Sequence, residues 1–275
     1  MTRIALFQAT TGLDPEANAA ALVDAVERAA RGGAEMLFTP EMSGMIDKNS
    51  ERAAGKRRRE AEDVVLAAAR DAAKQHSIWL DVGSIAVLED GGKVANRGFV
   101  IDLEGNVRGR YDKIHLYDVD LPTGESWRES AVYAPGAGVV LVNGTPVGKL
   151  GLTICYDLRF PGLFARLAEA DADVISVPSA FTVPTGLAHW HVLLRARAIE
   201  AGLFVVAAAQ VGQHEDGRHT FGHSLVVDPW GEVLLDMGAD KGVGFADIDL
   251  KRISEVRSRI PALNHRRPIP EAVTA

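Results

Sequence analysis

The chain has 275 residues, of which 47% are hydrophobic and 24% are charged, and it carries a formal net charge of −7. These values are those of an ordinary globular protein, and the negative balance argues against a nucleic-acid partner, whose phosphates require clustered positive charge. The single cysteine excludes an internal disulfide and a cysteine-rich zinc site.

The location of the protein and its domain organisation are predicted from features that the sequence lacks. No apolar run approaches the roughly 18 residues that span a bilayer, and the N-terminus leads into a strand-like run without signal-peptide architecture. We therefore expect a cytoplasmic protein that does not bind membranes. Neither a linker nor a shift in composition divides the chain, so we expect one domain over residues 1–275, with a polar tail from about residue 266.

Strand-like and helix-like segments alternate along the first part of the chain. Apolar runs and helical spacing predict, in order, a strand, a helix, a strand, a helix and a strand over 3–9, 15–31, 34–39, 60–76 and 78–88. Asp14 and Pro15 are typical of an N-cap and a first helical position. The basic run at 56–59 precedes the second helix, and we interpret it as a solvated helix start or loop rather than a nucleic-acid patch.

Turn signals then predict hairpins. Gly91-Gly92 separates strands over 80–88 and 94–102, a further strand covers 107–113, and Asn143-Gly144 predicts a hairpin turn within 139–154. The remaining predicted helices cover 160–170, 187–201 and 250–257. The remaining predicted strands cover 173–177, 203–209, 223–228, 232–236 and 243–249.

This order of elements predicts an α/β protein with mixed sheets and helices packed outside them. Strands such as VISV at 174–177 and FVVAAA at 204–209 are almost wholly apolar, which indicates burial on both faces. No internal sequence repeat is evident.

Cys155 is the first candidate for chemistry. It follows a strand-like run and precedes a predicted helix start, and such a turn exposes a side chain next to free backbone N–H groups. This position suits a nucleophile whose oxyanion is held by the next N–H. A lone free cysteine is, however, more often an inert core residue.

Glu41 and Lys113 are weaker candidates when each is taken alone. Each lies at the end of a predicted strand, where a helix cap or a surface residue is the more common role. Cys155 shares that position, and binding sites of α/β sheets collect at the carboxyl edge of the strands. The three residues together therefore indicate a shared site.

Three motifs in this order resemble the nitrilase superfamily of carbon–nitrogen hydrolases: PE at 40–41, YDKIHL at 111–116 and GLTICYDLRFP at 151–161. The resemblance covers the chain from Ala5 to about Arg267. It implies a four-layer αββα sandwich in which two mixed β-sheets lie between helical layers. It also implies a homodimer or a higher even oligomer, with the region near the 187–200 helix at an interface that stacks the layers as αββα–αββα.

The resemblance further implies a Glu–Lys–Cys triad. Glu41 would be the general base and Cys155 the nucleophile, while Lys113 and the backbone N–H of Tyr156 would stabilise the oxyanion. Glu129 would line the site and position Lys113 and the substrate. The family implies no cofactor and no metal.

The residues after the cysteine narrow the resemblance. Tyr156-Asp157 replaces the Trp-Glu that is typical of true nitrilases, which favours the amidase branches. The stretches at 178–182, 188–200, 207–210 and 222–231 look most like the deaminated glutathione amidase branch, with the ω-amidase branch close behind. We therefore expect a small-molecule amide that carries a carboxylate as substrate.

Three residues are candidates for binding that substrate. Arg159 could hold the carboxylate with its planar fork, or it could form an ion pair with Asp157. Phe181 would wall the site, and Thr182 could contribute a hydroxyl.

The histidines do not predict a metal site. His189 and His191 are two residues apart on a predicted helix and so face different directions, whereas His214, His219 and His223 are loosely spaced. Two other functions stay open at this stage: nitrile or N-carbamoyl hydrolysis by the same triad, and a non-catalytic binding module.

Overall fold

The computed structural model describes residues 1–120, 124 and 126–274. Its strands are β1 (Thr2–Gln8), β2 (Met36–Phe38), β3 (Trp79–Leu88), β4 (Val94–Ile101), β5 (Val107–Asp112), β6 (Asp118–Asp120), β7 (Ser126–Arg128), β8 (Leu141–Thr145), β9 (Gly148–Leu152), β10 (Val174–Ser176), β11 (Phe204–Ala207), β12 (Val211–Gln213), β13 (His219–Phe221), β14 (Leu225–Val227), β15 (Val233–Asp236) and β16 (Gly242–Ile248). Its α-helices are α1 (Pro15–Arg31), α2 (Ser50–Ala54), α3 (Val64–His76), α4 (Pro161–Glu169), α5 (Val183–Ala201) and α6 (Lys251–Arg259). None of the described helices is long and apolar enough to cross a membrane.

Two six-stranded mixed sheets form the centre of the fold. Their strand orders are β16-β1-β2-β3-β4-β5 and β15-β14-β11-β10-β9-β8. In each sheet three neighbouring strands are parallel, β1-β2-β3 in the first and β9-β10-β11 in the second, and the outer strands are antiparallel. The two sheets thus share one pairing pattern although the sequence shows no repeat.

The alternation of side chains along the strands separates two cores. In β1, Ile4 and Leu6 join the core between the sheets, while Ala5 faces the other way and packs with Leu22 and Val26 of α1. Helices α4 and α5 cover the second sheet through residues such as Phe164 and Leu194. The predicted αββα sandwich is therefore confirmed.

Several local predictions are also confirmed. Asp14 caps α1 by accepting a hydrogen bond from the N–H of Glu16, and Pro15 stands in the first turn. Strands β3 and β4 form the hairpin predicted around Gly91-Gly92. The strand ending in Ala207 is buried throughout, as its apolar sequence indicates.

The hairpin turn predicted at Asn143-Gly144 was placed wrongly. Strand β8 continues through these residues to Thr145, and the chain reverses over Pro146-Val147. The register shifts between Val142 and Thr145, and Gly144 has a φ of 73°, so the Asn-Gly pair accommodates a bulge instead of the turn.

Two helices begin at residues other than those predicted. Helix α5 begins at Val183 rather than 187, because Thr182 takes the extended N-cap conformation and a proline occupies the first turn. Helix α3 begins at Val64, where Asp63 accepts hydrogen bonds from the N–H groups of Val65 and Leu66. The short pairs β6–β7 and β12–β13 and helix α2 are not predicted, since each is too short to show a period.

A buried polar pair joins the two sheets. The hydroxyl of Ser176 in β10 donates a hydrogen bond to the carboxyl group of Asp81 in β3. Burial raises the pKa of Asp81 to about 7, although the hydrogen bond from Ser176 opposes the shift. Asp81 is therefore largely protonated in the folded protein at mildly acidic pH.

This assignment predicts a pH dependence of stability. The pKa of Asp81 is higher in the folded than in the unfolded chain, so its favourable contribution is complete below the unfolded value of about 4 and is lost as the pH rises towards 7. Between those limits the free energy of unfolding of the native chain should fall relative to that of Asp81→Asn, by up to about 1.4 kcal/mol per pH unit. Urea unfolding of both proteins measures this, and parallel curves would show that Asp81 does not titrate in this range.

Candidate active site

The candidate residues lie beyond the carboxyl ends of strands from both sheets. Glu41 follows β2, Lys113 follows β5, and Cys155 follows β9. Strands β2 and β5 run in the same direction, so their ends meet at one edge of the first sheet, and Cys155 faces them from the second sheet. The structure therefore brings the three predicted residues together.

The ammonium group of Lys113 lies between two carboxylates. Its Nζ donates to Glu41 Oε1 at 2.9 Å and to Glu129 Oε2 and Oε1 at 2.9 and 3.2 Å. The Lys113 side chain is 2% exposed, and those of Glu41 and Glu129 are 6% and 13% exposed. Asn96 Nδ2 also donates to both carboxylates, at 3.0 and 3.1 Å.

The two carboxylates decide the charge of Lys113. Burial alone acts to lower the pKa of its ammonium group, but the negative charges of Glu129 and Glu41 outweigh that effect. The pKa of Lys113 therefore lies well above its usual value, and the group stays cationic.

Cys155 occupies a left-handed turn. Its φ is 48°, and its N–H donates to the carbonyl of Pro178 at 2.9 Å. Positive φ is uncommon for a residue other than glycine and persists where surrounding contacts enforce it. The N–H of the next residue, Tyr156, has no backbone acceptor among the described residues.

The thiol of Cys155 is buried, and the carboxylate of Glu41 lies close enough to act on its pKa. Burial raises its pKa well above the usual value, the charge of Glu41 raises it further, and Lys113 and the N–H of Ala180 act in the opposite direction. The resting side chain is therefore a protonated thiol, with a carboxylate in place to accept its proton.

The carboxylate of Glu41 is fixed on both oxygens. Lys113 and Asn96 donate to Oε1, and the N–H of Ala180, which follows β10, donates to Oε2 at 3.1 Å. The Glu41 carbonyl accepts from Gln210 Nε2 at 2.9 Å. These contacts leave the carboxylate little freedom to rotate.

Asp157 ties the turn of Cys155 to the segment of Lys113. Its Oδ2 accepts from the Tyr111 hydroxyl at 2.7 Å and from the N–H of Ile154 at 2.9 Å. Its Oδ1 accepts from the N–H of His115 at 3.0 Å and lies 2.7 Å from His115 Nδ1. This fully buried carboxylate is thus occupied, which rules out the expected alternative that Asp157 pairs with Arg159.

Arg159 instead lies against aromatic rings. Its guanidinium carbon is 5.6 Å from the ring centre of Phe181 and 5.9 Å from that of Tyr156, and its NH1 and NH2 groups are 3.3 Å from His189 Nδ1. Within the described part of the chain no carboxylate forms an ion pair with Arg159. Its half-buried guanidinium can therefore receive an anion.

The other two predicted binding residues lie nearby. Phe181 is buried against Trp190, with ring centres 4.8 Å apart. The hydroxyl of Thr182 is 2.8 Å from that of Thr185, and it opposes the rise that burial causes in the pKa of Tyr117. Thr182 is therefore held in a hydroxyl network beside Arg159 and Tyr156, because Tyr117 packs edge-on against Tyr156.

A second group of residues on the Glu129 side was not predicted. Arg57 lies over the ring of Tyr133 at 5.8 Å, and Arg218 lies over that of Trp127 at 4.6 Å. Burial raises the pKa of Tyr133 to about 12, and the charges of both arginines and of Glu41 and Glu129 act on the same hydroxyl. The basic run therefore lies in the predicted loop, between α2 and α3, but Arg57 is half-buried beside the site rather than solvated.

Polar atoms without partners collect around this site. Among the described residues, four buried side-chain atoms have no hydrogen-bond partner: Arg57 Nε, Asn96 Oδ1, Trp127 Nε1 and Arg218 Nε. An unpaired buried polar group costs about 1–3 kcal/mol, and such groups in a native structure call for an explanation. Three of the four are donors, which indicates a ligand rich in acceptors.

Comparison with known proteins assigns the family. The carbon–nitrogen hydrolase family matches residues 3–258. The deaminated glutathione amidase of Dictyostelium discoideum is 39% identical over 275 residues, which are 97% of this chain and 94% of the relative.

Solved structures support the same family assignment. The NitFhit protein of Caenorhabditis elegans superposes with a TM-score of 0.89 at 39% identity over 97% of this chain, which spans 65% of the solved chain and 60% of the full fusion protein. An amidase from Nesterenkonia sp. AN1, with acrylamide added to its active-site cysteine, superposes with a TM-score of 0.78 at 27% identity over 95% of this chain and 98% of that one.

The contact between Glu41 and Cys155 predicts a measurable shift. Glu41→Gln removes a negative charge beside the thiol, so the pKa of Cys155 should fall, by about one to three units, while burial continues to hold it up. The pH dependence of alkylation by a neutral maleimide reports this pKa. The exposed carboxylate variant Glu62→Gln is the control and should leave the profile unchanged. An unchanged or raised pKa in Glu41→Gln would contradict the arrangement.

Proposed function

Since this chain belongs to the carbon–nitrogen hydrolase family and is an amide hydrolase, we propose that it acts through a thioester on Cys155. Its substrate is a small amide that carries a carboxylate, as for a deaminated glutathione amidase. Cleavage of a terminal amide releases ammonia, and cleavage of an amide whose nitrogen is substituted releases the corresponding amine. The observation that carries this proposal is the buried contact of Glu41 with both the Cys155 thiol and the Lys113 ammonium group.

Glu41 is the general base in the first step. The Cys155 sulfur attacks the amide carbon while its proton passes to Glu41, whose carboxylate lies beside the thiol. The raised pKa of Cys155 means that no free thiolate waits in the resting site. Transfer of the proton therefore accompanies attack on a bound substrate.

The oxyanion of the tetrahedral intermediate is stabilised by Lys113 and by the N–H of Tyr156. Lys113 remains cationic because of its two carboxylate neighbours, and the Tyr156 N–H has no competing backbone acceptor in the described residues. A single oxyanion donor typically contributes about 10²–10³ in kcat.

The second half of the reaction reuses the same base. Protonated Glu41 gives its proton to the departing nitrogen, so that the carbon–nitrogen bond breaks and the acyl group stays on Cys155 as a thioester. Glu41 then takes a proton from water as the water oxygen attacks the thioester carbon. The carbon–sulfur bond breaks, Glu41 returns the proton to the sulfur, and the acid leaves with the thiol restored. Glu129 positions Lys113 throughout through two hydrogen bonds.

Arg159 is the proposed anchor for the carboxylate of the acyl half. Its competing interpretation, an ion pair with Asp157, is removed by the four contacts that occupy Asp157. The rings of Phe181 and Tyr156 both lie within 6 Å of the guanidinium carbon, at 5.6 and 5.9 Å, and the Thr182 hydroxyl lies in the neighbouring network. A planar fork fixed in this way suits bidentate carboxylate binding.

Arg57, Arg218 and Trp127 extend the site on the Glu129 side. The charges of both arginines act on the Tyr133 hydroxyl together with those of Glu129 and Glu41, so the unpaired donors of this group lie close to the carboxylates of the site. Arg218 is already paired with Asp216, whereas Arg57 has no carboxylate partner in the described residues. We therefore include acceptor groups on the amine half among the features that the substrate can carry.

The alternative enzymatic functions share the triad and differ in their substrate. ω-Amides of 2-oxo acids fit the same Arg159 anchor, whereas a nitrile or an N-carbamoyl compound would use the triad with another acyl group. No observation in the structure favours these over an amide, and the Tyr156-Asp157 pair supports the amidase branches. Assembly as a homodimer or higher even oligomer stays a prediction.

A substrate panel tests the proposed reaction. Deaminated glutathione, ω-amides of 2-oxo acids, N-carbamoyl amino acids and nitriles are compared by kcat/KM, and the amides should exceed the other classes by orders of magnitude. Cys155→Ser should lower kcat/KM by roughly four orders of magnitude or more, because the nucleophile is lost.

Cys155→Ala serves as a second variant, and circular dichroism with the melting temperature checks that both variants fold. Full activity in a folded Cys155 variant would refute the nucleophile. Turnover of none of the four classes by the native chain would favour a binding module.

The two arginines should act on different parts of the substrate. Arg159→Gln should raise KM for carboxylate-bearing amides by roughly 30- to 1,000-fold, as expected for a lost charge pair, and leave amides without that carboxylate almost unchanged. Arg57→Gln should instead raise KM for amides that carry a carboxylate on the amine half and leave KM for amides without it almost unchanged. Equal losses on all substrates would assign both arginines a structural role.

A further inference from the structure

Two histidines and an aspartate converge outside the triad. His191 of α5, His223 before β14 and Asp236 at the end of β15 each offer one ligand atom, and these atoms all lie within 4.8 Å of one another. His189 does not take part, since its Nδ1 lies against Arg159, as its position two residues from His191 predicts. Sequence spacing could not predict this cluster, because its members are brought together from three separate segments.

The carboxylate of Asp236 holds one histidine on each oxygen. His191 Nε2 lies 2.9 Å from Oδ2, and His223 Nδ1 lies 2.8 Å from Oδ1. The N–H of Gly238 also donates to Oδ1 at 2.9 Å. Both ring nitrogens and the carboxylate therefore point into one space.

His223 is held in place from several sides. Its φ is 57°, an uncommon value for a residue with a side chain. Its N–H donates to the carbonyl of Gly238 at 2.7 Å, and its carbonyl accepts from Trp190 Nε1 at 2.8 Å. The ring of Phe221 stacks on the imidazole at 4.4 Å. Contacts that fix a strained residue and its ring orientation are typical of a preorganised site.

The distances are close to those of a tetrahedral metal site. Bonds of about 2.0–2.2 Å from zinc to nitrogen and oxygen place its ligand atoms about 3.3–3.5 Å apart. Only one oxygen of Asp236 is a ligand in such a site, so one short nitrogen–oxygen distance needs to open by about half an ångström. The other two ligand pairs, at 4.8 Å or less, need to close. Side-chain rotations of this size do not require the backbone to move.

We propose that His191, His223 and Asp236 bind one zinc ion through His191 Nε2, His223 Nδ1 and a carboxylate oxygen of Asp236. Imidazole and carboxylate suit zinc, and three protein ligands with an open fourth position are a usual zinc set. In the single chain all three side chains are about a third exposed, which leaves room for water to complete the coordination.

The bound ion would join parts of the chain that are distant in sequence. It links α5, which covers the second sheet, to the start of β14 and the end of β15 in that sheet. Because the unfolded chain does not hold these ligands together, zinc binding stabilises the folded state. This role is separate from the amide chemistry and needs no step of it.

Calorimetric titration with zinc tests the site directly. The experiment uses the full chain with Cys155→Ser, so that the active-site thiol cannot bind the metal. One zinc ion per chain should bind, and His191→Ala, His223→Ala and Asp236→Asn should each weaken that binding by at least about tenfold. His219→Ala, which removes an exposed histidine outside the cluster, should bind as the parent does.

Thermal melting supplies a second readout on the same proteins. Zinc should raise the melting temperature of the parent and of His219→Ala, and it should leave the three cluster variants unchanged. Magnesium, which prefers an octahedral set of oxygen ligands, should give no shift. Absence of stoichiometric binding, or equal binding by parent and cluster variants, would overturn the proposal and leave the cluster as a hydrogen-bonded His-Asp-His network.

Discussion

The burial of one ammonium group between two carboxylates is the interaction on which the site depends. Lys113 could not stay charged in this interior alone, because burial lowers the pKa of an amine, and Glu41 and Glu129 reverse that effect. The same contact holds Glu41 beside the Cys155 thiol, whose pKa burial and the charge of Glu41 raise. One buried cluster therefore sets the charge of the proposed nucleophile and of the proposed oxyanion donor together.

The packing of the two sheets positions the residues of this cluster. Glu41 and Ala180 follow corresponding central strands, β2 and β10, of two sheets that share one pairing pattern, and the N–H of Ala180 donates to Glu41 Oε2. Asp157 connects the Cys155 turn to the segment that carries Lys113. The packing between the sheets thus holds atoms of both sheets in contact at their shared edge.

Some features of this structure can be predicted from the sequence, and others cannot. The motifs around Glu41, Lys113 and Cys155 predict that these residues meet, and apolar periodicity predicts most strands and helices, because both are local signals. The turn at Pro146-Val147 was missed since Asn143-Gly144 has the composition of a turn but forms a bulge. The partners Asn96 and Arg57 and the His191 cluster depend on which strands and loops become neighbours, and a single sequence does not carry that information. A buried polar residue in an apolar strand, such as Asn96 in β4, is the one local signal from which a further site residue could have been predicted.

The central claim is that an acyl group passes through Cys155. Rapid quenching of the native enzyme during turnover of an ω-amide, followed by mass spectrometry of the intact chain and of its peptides, tests this most directly. We expect the mass of the chain to increase by that of the acyl half of the substrate. The added group should be located on Cys155 and be absent from Cys155→Ser. Quenching at several times before the steady state, with no adduct at any of them or with the acyl group on another residue, would contradict it.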